Sequence, residues 1–266
     1  MHRIEAPQGL HVDVIGDGPP LVLLHGWAMH GGVFAPLLER LRAQCTLYVV
    51  DLPGHGYSRD STLPLALAPV VDALAHCLPP APWLGWSLGG LFALHAARFR
   101  PDAATALAML CASPRFVHGD DWPHGMAPQV FRDFAHGLGT DYRGTLDRFI
   151  ALEAFGSDDA RGELRALRAD VFARGEPAAH VLADGLGLLE TVDLRDALPR
   201  LSVPSVWLAG RRDRLVDPRA MHAAAALAPE GTAITIAHAG HAPFLTHADA
   251  VADPLLAFLD TVPRRG

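Results

Sequence analysis

The stretch GWSLGG, residues 85–90, follows the apolar run APWL and sets one serine among three glycines. It fits G-x-S-x-G as Gly85, Trp86, Ser87, Leu88 and Gly89, with an expected strand before it and an expected helix after it. In that setting the pattern describes a sharp turn that lifts a serine Oγ above the end of a sheet. The glycines follow from geometry, since strand and helix pass so closely that side chains at positions 85 and 89 would collide. Two other readings use the same glycines: a plain flexible turn, or a helix N-terminus that binds an anion. A phosphate loop fits less well, because no lysine follows the glycines.

Outward from this turn, LVLLHG (21–26), TLYVVDLPG (46–54) and APWLG (81–85) are short apolar runs bounded by glycine or proline, as expected of strands buried on both faces. ALAMLCAS (106–113), PSVWLAG (204–210) and TAITIAHAG (232–240) continue the series. Helical stretches lie between them, among them VFAPLLERLRA (33–43) and LFALHAARFRPD (91–102), the latter stopped by Pro101. Strands alternating with helices predict an α/β fold, a mostly parallel central sheet with helices on both faces. From about 115 to 189 the pattern changes to helices alone, as in TLDRFIALEAF and ARGELRALRADVFA. This segment is expected to be a helical cap inserted over the carboxyl edge of the sheet, where open α/β folds bind ligands. The expected division is core 1–114, cap 115–190 and core 191–266.

Half of the 266 residues are hydrophobic and 19% are charged, which supports a sizeable core and argues against global disorder. The formal charge of −7 argues against a general nucleic-acid binder. MHRIEAPQGL lacks the basic and apolar regions of a signal peptide, and no apolar run is long enough to span a bilayer. Cys45, Cys77 and Cys111 are odd in number and lack metal-ligand or CxxC spacing. They read as buried, inert thiols of a cytoplasmic protein.

A serine hydroxyl is a poor nucleophile near neutral pH; it needs a histidine to take its proton and a carboxylate to orient that histidine. On this fold the chain order is serine, acid, histidine. GRRDRLVDP offers Asp213 just after SVWLAG, and AHAGHAPF offers His241 just after TAITIA, both in loops that follow strands. Asp217 rivals Asp213 as the acid, and His238 and His247 rival His241 as the base. With 15 histidines in the chain, most are surface or core residues; His241 stands out through the preceding Gly240 and the following APF. The negative charge that develops on the substrate also needs main-chain N–H donors. Leu88 is expected to supply one, and Trp27, in the loop HGWAMH, the other.

LLHGW, DLPGHGYS, GWSLGG, GRRDRLVD and GHAPF occur in an order that resembles the α/β-hydrolase superfamily over nearly the whole chain. More narrowly, WLGWSLGGL, VDLPGHGYSR, ASPRFVHGDDWP, TVDLR and HAPFLTH resemble the esterase family that hydrolyses pimeloyl-[acyl-carrier protein] methyl esters in biotin biosynthesis. The resemblance implies a serine carboxylesterase with catalytic Ser87, Asp213 and His241, no cofactor and no metal. Its expected partner is an acyl-carrier protein bearing a pimeloyl methyl ester; no nucleic acid or membrane partner is expected, and the chain is expected to be a monomer.

Such a substrate needs an apolar channel, to which Trp27, Trp86, Leu88 and Phe149 are expected to contribute, although Trp86 also reads as simple packing. Carrier proteins are acidic, so a basic surface is expected beside the channel mouth. Arg161, Arg165 and Arg168 fall at i, i+4 and i+7 on one helical face, with Arg143 and Arg148 nearby in sequence. In the esterase family, cap arginines engage the carrier, and Arg148, Arg161 and Arg165 occupy matching positions. Gly144 falls where another arginine is expected, with Arg143 displaced by one. The alternative is a solvated face paired with Glu163 and Asp170. Two other functions use the same fold: a general short-chain carboxylesterase, and a non-catalytic receptor. Dehalogenase and epoxide-hydrolase relatives carry aspartate where Ser87 stands.

Overall fold

In the computed structural model, which describes residues 2–263, eight strands form a single sheet. They are β1 (His2–Ala6), β2 (Leu10–Ile15), β3 (Pro20–Leu24), β4 (Thr46–Asp51), β5 (Ala81–Trp86), β6 (Ala104–Leu110), β7 (Ser205–Gly210) and β8 (Gly231–Ile236). The order across the sheet is β1-β2-β4-β3-β5-β6-β7-β8; β2 runs antiparallel to β1 and β4, and every other pairing is parallel. The six apolar runs of the sequence coincide with β3 to β8. The first two strands were not foreseen, because β2 breaks its apolar run with His11 and Asp13. Both are buried, and His11 Nε2 lies 2.8 Å from Asp13 Oδ1, so a buried polar pair stands where an all-apolar strand was sought.

The helices are α1 (Ala35–Leu41), α2 (Leu67–Cys77), α3 (Leu88–Phe99), α4 (Pro128–Thr140), α5 (Tyr142–Ala154), α6 (Ala160–Asp170), α7 (Ala179–Thr191), α8 (Pro218–Leu227), the single-turn α9 (Pro243–Thr246) and α10 (Ala248–Leu259). The period-2 geometry of the strands divides the core. Val22, Leu24, Trp83, Leu107 and Trp207 face α2, α3 and α8, while Leu21, Leu23, Leu84, Ala108 and Leu208 face α1 and α10. Among the described residues no helix is long and apolar enough to cross a membrane, and the three cysteines are free.

Between β6 and β7 stand α4 to α7. Aspartates start two of them: Asp141 accepts from the Gly144 N–H at the head of α5, and Asp159 from the Gly162 N–H at the head of α6. This layer is tied to the sheet by buried polar contacts. Arg174, beyond α6, pairs with Asp13 at 2.8 Å and with Asp51 at 3.1 Å, and its guanidinium lies 4.7 Å from the Tyr57 ring centroid. The segment ASPRFVHGDDWP is also structural: Trp122 donates to the Arg115 carbonyl at 3.0 Å, and Asp121 pairs with Arg195 of TVDLR at 2.8 Å.

Candidate active site

β5 ends and α3 begins on either side of Ser87, whose φ of 53° and ψ of −120° lie outside the regions ordinary L-residues favour. That strain is held by close packing. A Cβ on Gly85 would overlap the Gly89 carbonyl, and one on Gly89 would overlap the Leu24 carbonyl of β3. The turn therefore projects the Ser87 side chain from the carboxyl end of the sheet.

The β7–α8 and β8–α9 loops bring the other two residues to it. His241 Nε2 lies 2.9 Å from Ser87 Oγ, and its Nδ1 lies 2.8 Å from Asp213 Oδ2. The other oxygen, Asp213 Oδ1, accepts from the N–H groups of Leu215 at 2.8 Å and Val216 at 2.9 Å. With Nδ1–H donated to the carboxylate, Nε2 carries the lone pair, placed to accept the Ser87 Oγ–H. All three side chains are buried. The rivals stand elsewhere. Asp217 accepts from the Arg219 N–H at the head of α8. His247 faces Asp158 at 3.3 Å, and His238 is exposed beside Arg212.

Among the described residues, the main-chain N–H groups of Trp27 and Leu88 make no hydrogen bond within the protein. His25 orients the first of these. Its Nε2 accepts from the Leu52 N–H at 2.9 Å, so its proton sits on Nδ1 and is donated to the Gly26 carbonyl at 2.8 Å. Burial, reinforced by His55, holds His25 well below the usual histidine range, which keeps it neutral in this role. The Gly26 carbonyl and the Trp27 N–H belong to one trans peptide, so fixing the carbonyl on His25 aims the N–H the opposite way.

The four expected channel residues fall into two groups. Trp27, Leu88 and Phe149 share one apolar cluster with Leu182 and Leu186 of α7. Trp27 and Phe149 meet edge to face at 4.4 Å between centroids, and Trp27 Nε1 donates to the Leu182 carbonyl at 2.8 Å. Trp86 lies in the cluster on the other face, against Phe244 at 4.9 Å and Phe34 at 6.4 Å. Its Nε1 donates to the His241 carbonyl at 2.8 Å.

The arginines also divide. Arg143 pairs with Glu176 at 2.6 Å, Arg148 with Asp141 at 3.3 Å and Arg168 with Asp147 at 3.1 Å. Arg161 and Arg165 are exposed and have no ion-pair or hydrogen-bond partner among the described residues. Neither Glu163 nor Asp170 pairs with them. Glu163 is buried and accepts from Ser157 at 2.7 Å and from Thr246, and burial pushes the Asp170 carboxyl up. Sequence reasoning missed the inward course of Glu163, the second buried glutamate Glu153, and the anchoring by Arg174, because each breaks the rule that charged residues face water. Among the described residues no group of three histidine, cysteine, aspartate or glutamate side chains is placed to hold a metal ion.

Residues 19–248 match the model of the alpha/beta hydrolase fold family. The chain is 61% identical over 254 residues to a pimeloyl-[acyl-carrier protein] methyl ester esterase of Xanthomonas campestris pv. campestris, covering 96% of this chain and 100% of that one. It is 60% identical to the esterase of the same name from Stenotrophomonas maltophilia, over 94% and 96% of the two chains. Among solved structures, an esterase from Exiguobacterium antarcticum superposes with a TM-score of 0.84 at 22% identity, covering 97% of this chain and 99% of that one, a likeness of fold. On the match to the family model over residues 19–248 and to these relatives over nearly the whole chain, the chain belongs to the alpha/beta hydrolase fold family.

Proposed function

We propose that this protein is a serine carboxylesterase that hydrolyses the methyl ester of a pimeloyl chain carried by acyl-carrier protein, releasing methanol and the free carboxylate. The observation that carries the reading is the buried relay Ser87–His241–Asp213, with contacts of 2.9 and 2.8 Å. The choice of substrate is supported by the 61% identity to a relative that bears this name. In this reading Ser87 Oγ attacks the ester carbonyl while His241 Nε2 takes its proton, and the N–H groups of Trp27 and Leu88 receive the charge on the carbonyl oxygen. His241 then returns the proton to the departing methoxide, leaving an acyl-Ser87. Water, deprotonated by the same nitrogen, adds to the acyl carbon, and the carboxylate leaves as Ser87 regains its proton.

The cap of this reading is residues 115–190. Trp27, Leu88 and Phe149, under α7, would line the path of the acyl chain, and Arg161 and Arg165 would meet the acidic carrier, with Arg143 and Arg148 at their flank. Trp86 holds the histidine loop and contributes to substrate binding only through it. A cytoplasmic monomer completes the proposal. The test is methanol release from the carrier-bound methyl ester, for which Ser87→Ala should lose about 10⁴-fold or more in kcat. Comparable kcat/KM for carrier-bound and free methyl esters would favour a general short-chain esterase. Full activity of Ser87→Ala would end the covalent mechanism.

A further inference from the structure

Two glutamates of the helical layer turn inward, Glu163 against the loop that holds His241 and Glu153 within electrostatic reach of Asp213. Glu153, in the last turn of α5, is wholly buried, and neither of its carboxyl oxygens has a hydrogen-bond partner among the described residues. Glu163, in the first turn of α6, accepts from Ser157 and Thr246 through one oxygen. Its other oxygen faces Gly240, beside His241, where an added Cβ would lie 3.5 Å away. The turn between the two helices rests on both loops: a Cβ on Gly156 would overlap the Arg212 carbonyl, and one on Gly240 would lie 3.2 Å from Ser157 N. Asp158 N–H also donates to the His238 carbonyl at 3.2 Å.

Burial opposes the ionisation of Glu153 most, followed by Asp213, from the loop after β7, and Glu163, from α6; among the described residues no cation offsets them. Beyond Asp213 lie Cys111, after β6, whose thiol is pushed up by burial and by the same two carboxylates, and His241, after β8, which is bound to Asp213. The three carboxyls are unequally supported. Asp213 collects two main-chain N–H groups and an imidazole, Glu163 collects two hydroxyls, and Glu153 collects nothing. Of three acids crowded in a buried space, the one with no donor keeps its proton.

We propose that Glu153 is a positioning residue: its neutral carboxyl keeps the turn at 155–157 seated on the Asp213 and His241 loops, and loss of its proton unseats that turn and misaligns Asp213. An anion at this position repels Asp213 and Glu163 with no counter-charge nearby, and the soft response is for the turn to lift from the Arg212 and Gly240 backbone. The Ser87 to His241 contact then loses the carboxylate that orients it, which lowers kcat more than it alters KM. This inference rests on the reading of Ser87, His241 and Asp213 as a hydrolytic triad.

The test compares the wild type with Glu153→Gln, an uncharged side chain of the same shape, and Glu153→Ala, which leaves a gap. Unfolding equilibria are measured from pH 5 to pH 9, with kcat and KM on a small soluble ester. A proton held only in the folded state makes the wild type lose stability relative to Glu153→Gln as pH rises above the ordinary glutamate range, by up to tenfold in the unfolding constant per pH unit. The expected activity pattern is a kcat for Glu153→Gln within about threefold of the wild type at neutral pH and a loss of about tenfold or more for Glu153→Ala. The alkaline fall of the wild-type kcat should be absent in Glu153→Gln. A stability difference that does not change with pH overturns the proposal, as do superposable pH profiles of kcat. If Glu153→Gln does not fold, Glu153→Leu, also uncharged and of similar volume, carries the same stability measurement. Labelling of wild-type Ser87 by an organophosphate tests the triad separately, so intact labelling with a flat stability difference overturns the role of Glu153 alone.

Discussion

The indole N–H of Trp86 donates to the main-chain carbonyl of His241 at 2.8 Å, so the residue beside Ser87 holds the backbone of His241. The two rings are 5.7 Å apart, and Phe244 meets the indole edge to face at 4.9 Å. Trp86→Phe keeps an aromatic ring in the pocket but leaves the His241 carbonyl without its donor. An unpaired buried carbonyl costs about 1–3 kcal/mol, which the loop relieves by moving. The expected result is a fall in kcat of about tenfold with KM for a small ester nearly unchanged. A rise in KM alone would instead make Trp86 part of the acyl pocket.

Two glycines in α7 separate the effect of contact from that of backbone entropy. A Cβ on Gly185 would lie 2.7 Å from Trp27 Cδ1, whereas one on Gly187 would meet nothing within 4 Å. The Trp27 ring cannot swing away cheaply, since it is wholly buried and bonded to the Leu182 carbonyl. Gly185→Ala should therefore destabilise by about 1–3 kcal/mol and loosen α7 over Trp27 and Leu88. Gly187→Ala should stabilise by about 0.5–1 kcal/mol through helix propensity. Denaturant titration of both variants checks the pair; shifts of the same sign would show that Gly185 makes no close approach of consequence.

The contrast between what the sequence revealed and what it hid follows from the same physics. The strands β3 to β7 were legible because strands covered on both faces are apolar nearly throughout, β8, at the edge and only partly buried, still keeps a mostly apolar run, and the elbow was legible because a side chain at 85 or 89 overlaps backbone. Asp213 and His241 could be found because each follows a legible strand. Glu153 lies in TLDRFIALEAF at a position where a charged residue is expected to face water, and no local pattern announces that it is wholly buried. Arg174 meets Asp13 and Asp51 across more than a hundred residues of chain. Pairings of that kind belong to the tertiary structure and have no sequence period to read.

The histidines beneath the Trp27 loop predict an acid limit to stability. His55 is fully buried, donates Nδ1–H to the Pro53 carbonyl at 2.9 Å and faces His25 at 5.1 Å between ring centroids. Burial pushes it down to about 4 from the ordinary 6.5, partly offset by its bond to Pro53 and by Asp51. The unfolded chain binds a proton between those values and the folded one does not, so the stability is complete above pH 6.5 and falls as pH drops toward 4. The contribution of His55 is on the order of 3 kcal/mol. His55→Asn keeps a side-chain donor and takes up no proton, so it should flatten the fall over that window by a comparable amount. Equal losses of stability between pH 6.5 and pH 4.5 in urea titrations of the two proteins would remove His55 as the cause.

Arg161 and Arg165 are the exposed cations of α6 without a partner among the described residues, while the neighbouring Arg168 pairs with Asp147. A paired guanidinium must break its own bond before it can engage a second protein, and an unpaired one need not, so these two are the better placed to meet an acidic carrier. Rim charges act mainly on association and are screened by salt over about 8 Å at physiological ionic strength. The double variant Arg161→Ala, Arg165→Ala should raise KM for a carrier-bound methyl ester about tenfold, leave kcat near the wild-type value and weaken the salt dependence of kcat/KM. A small soluble ester should be turned over at an unchanged rate. Equal losses on the two substrates would place the effect in the stability of α6, and an unaltered salt dependence would exclude these arginines from the encounter.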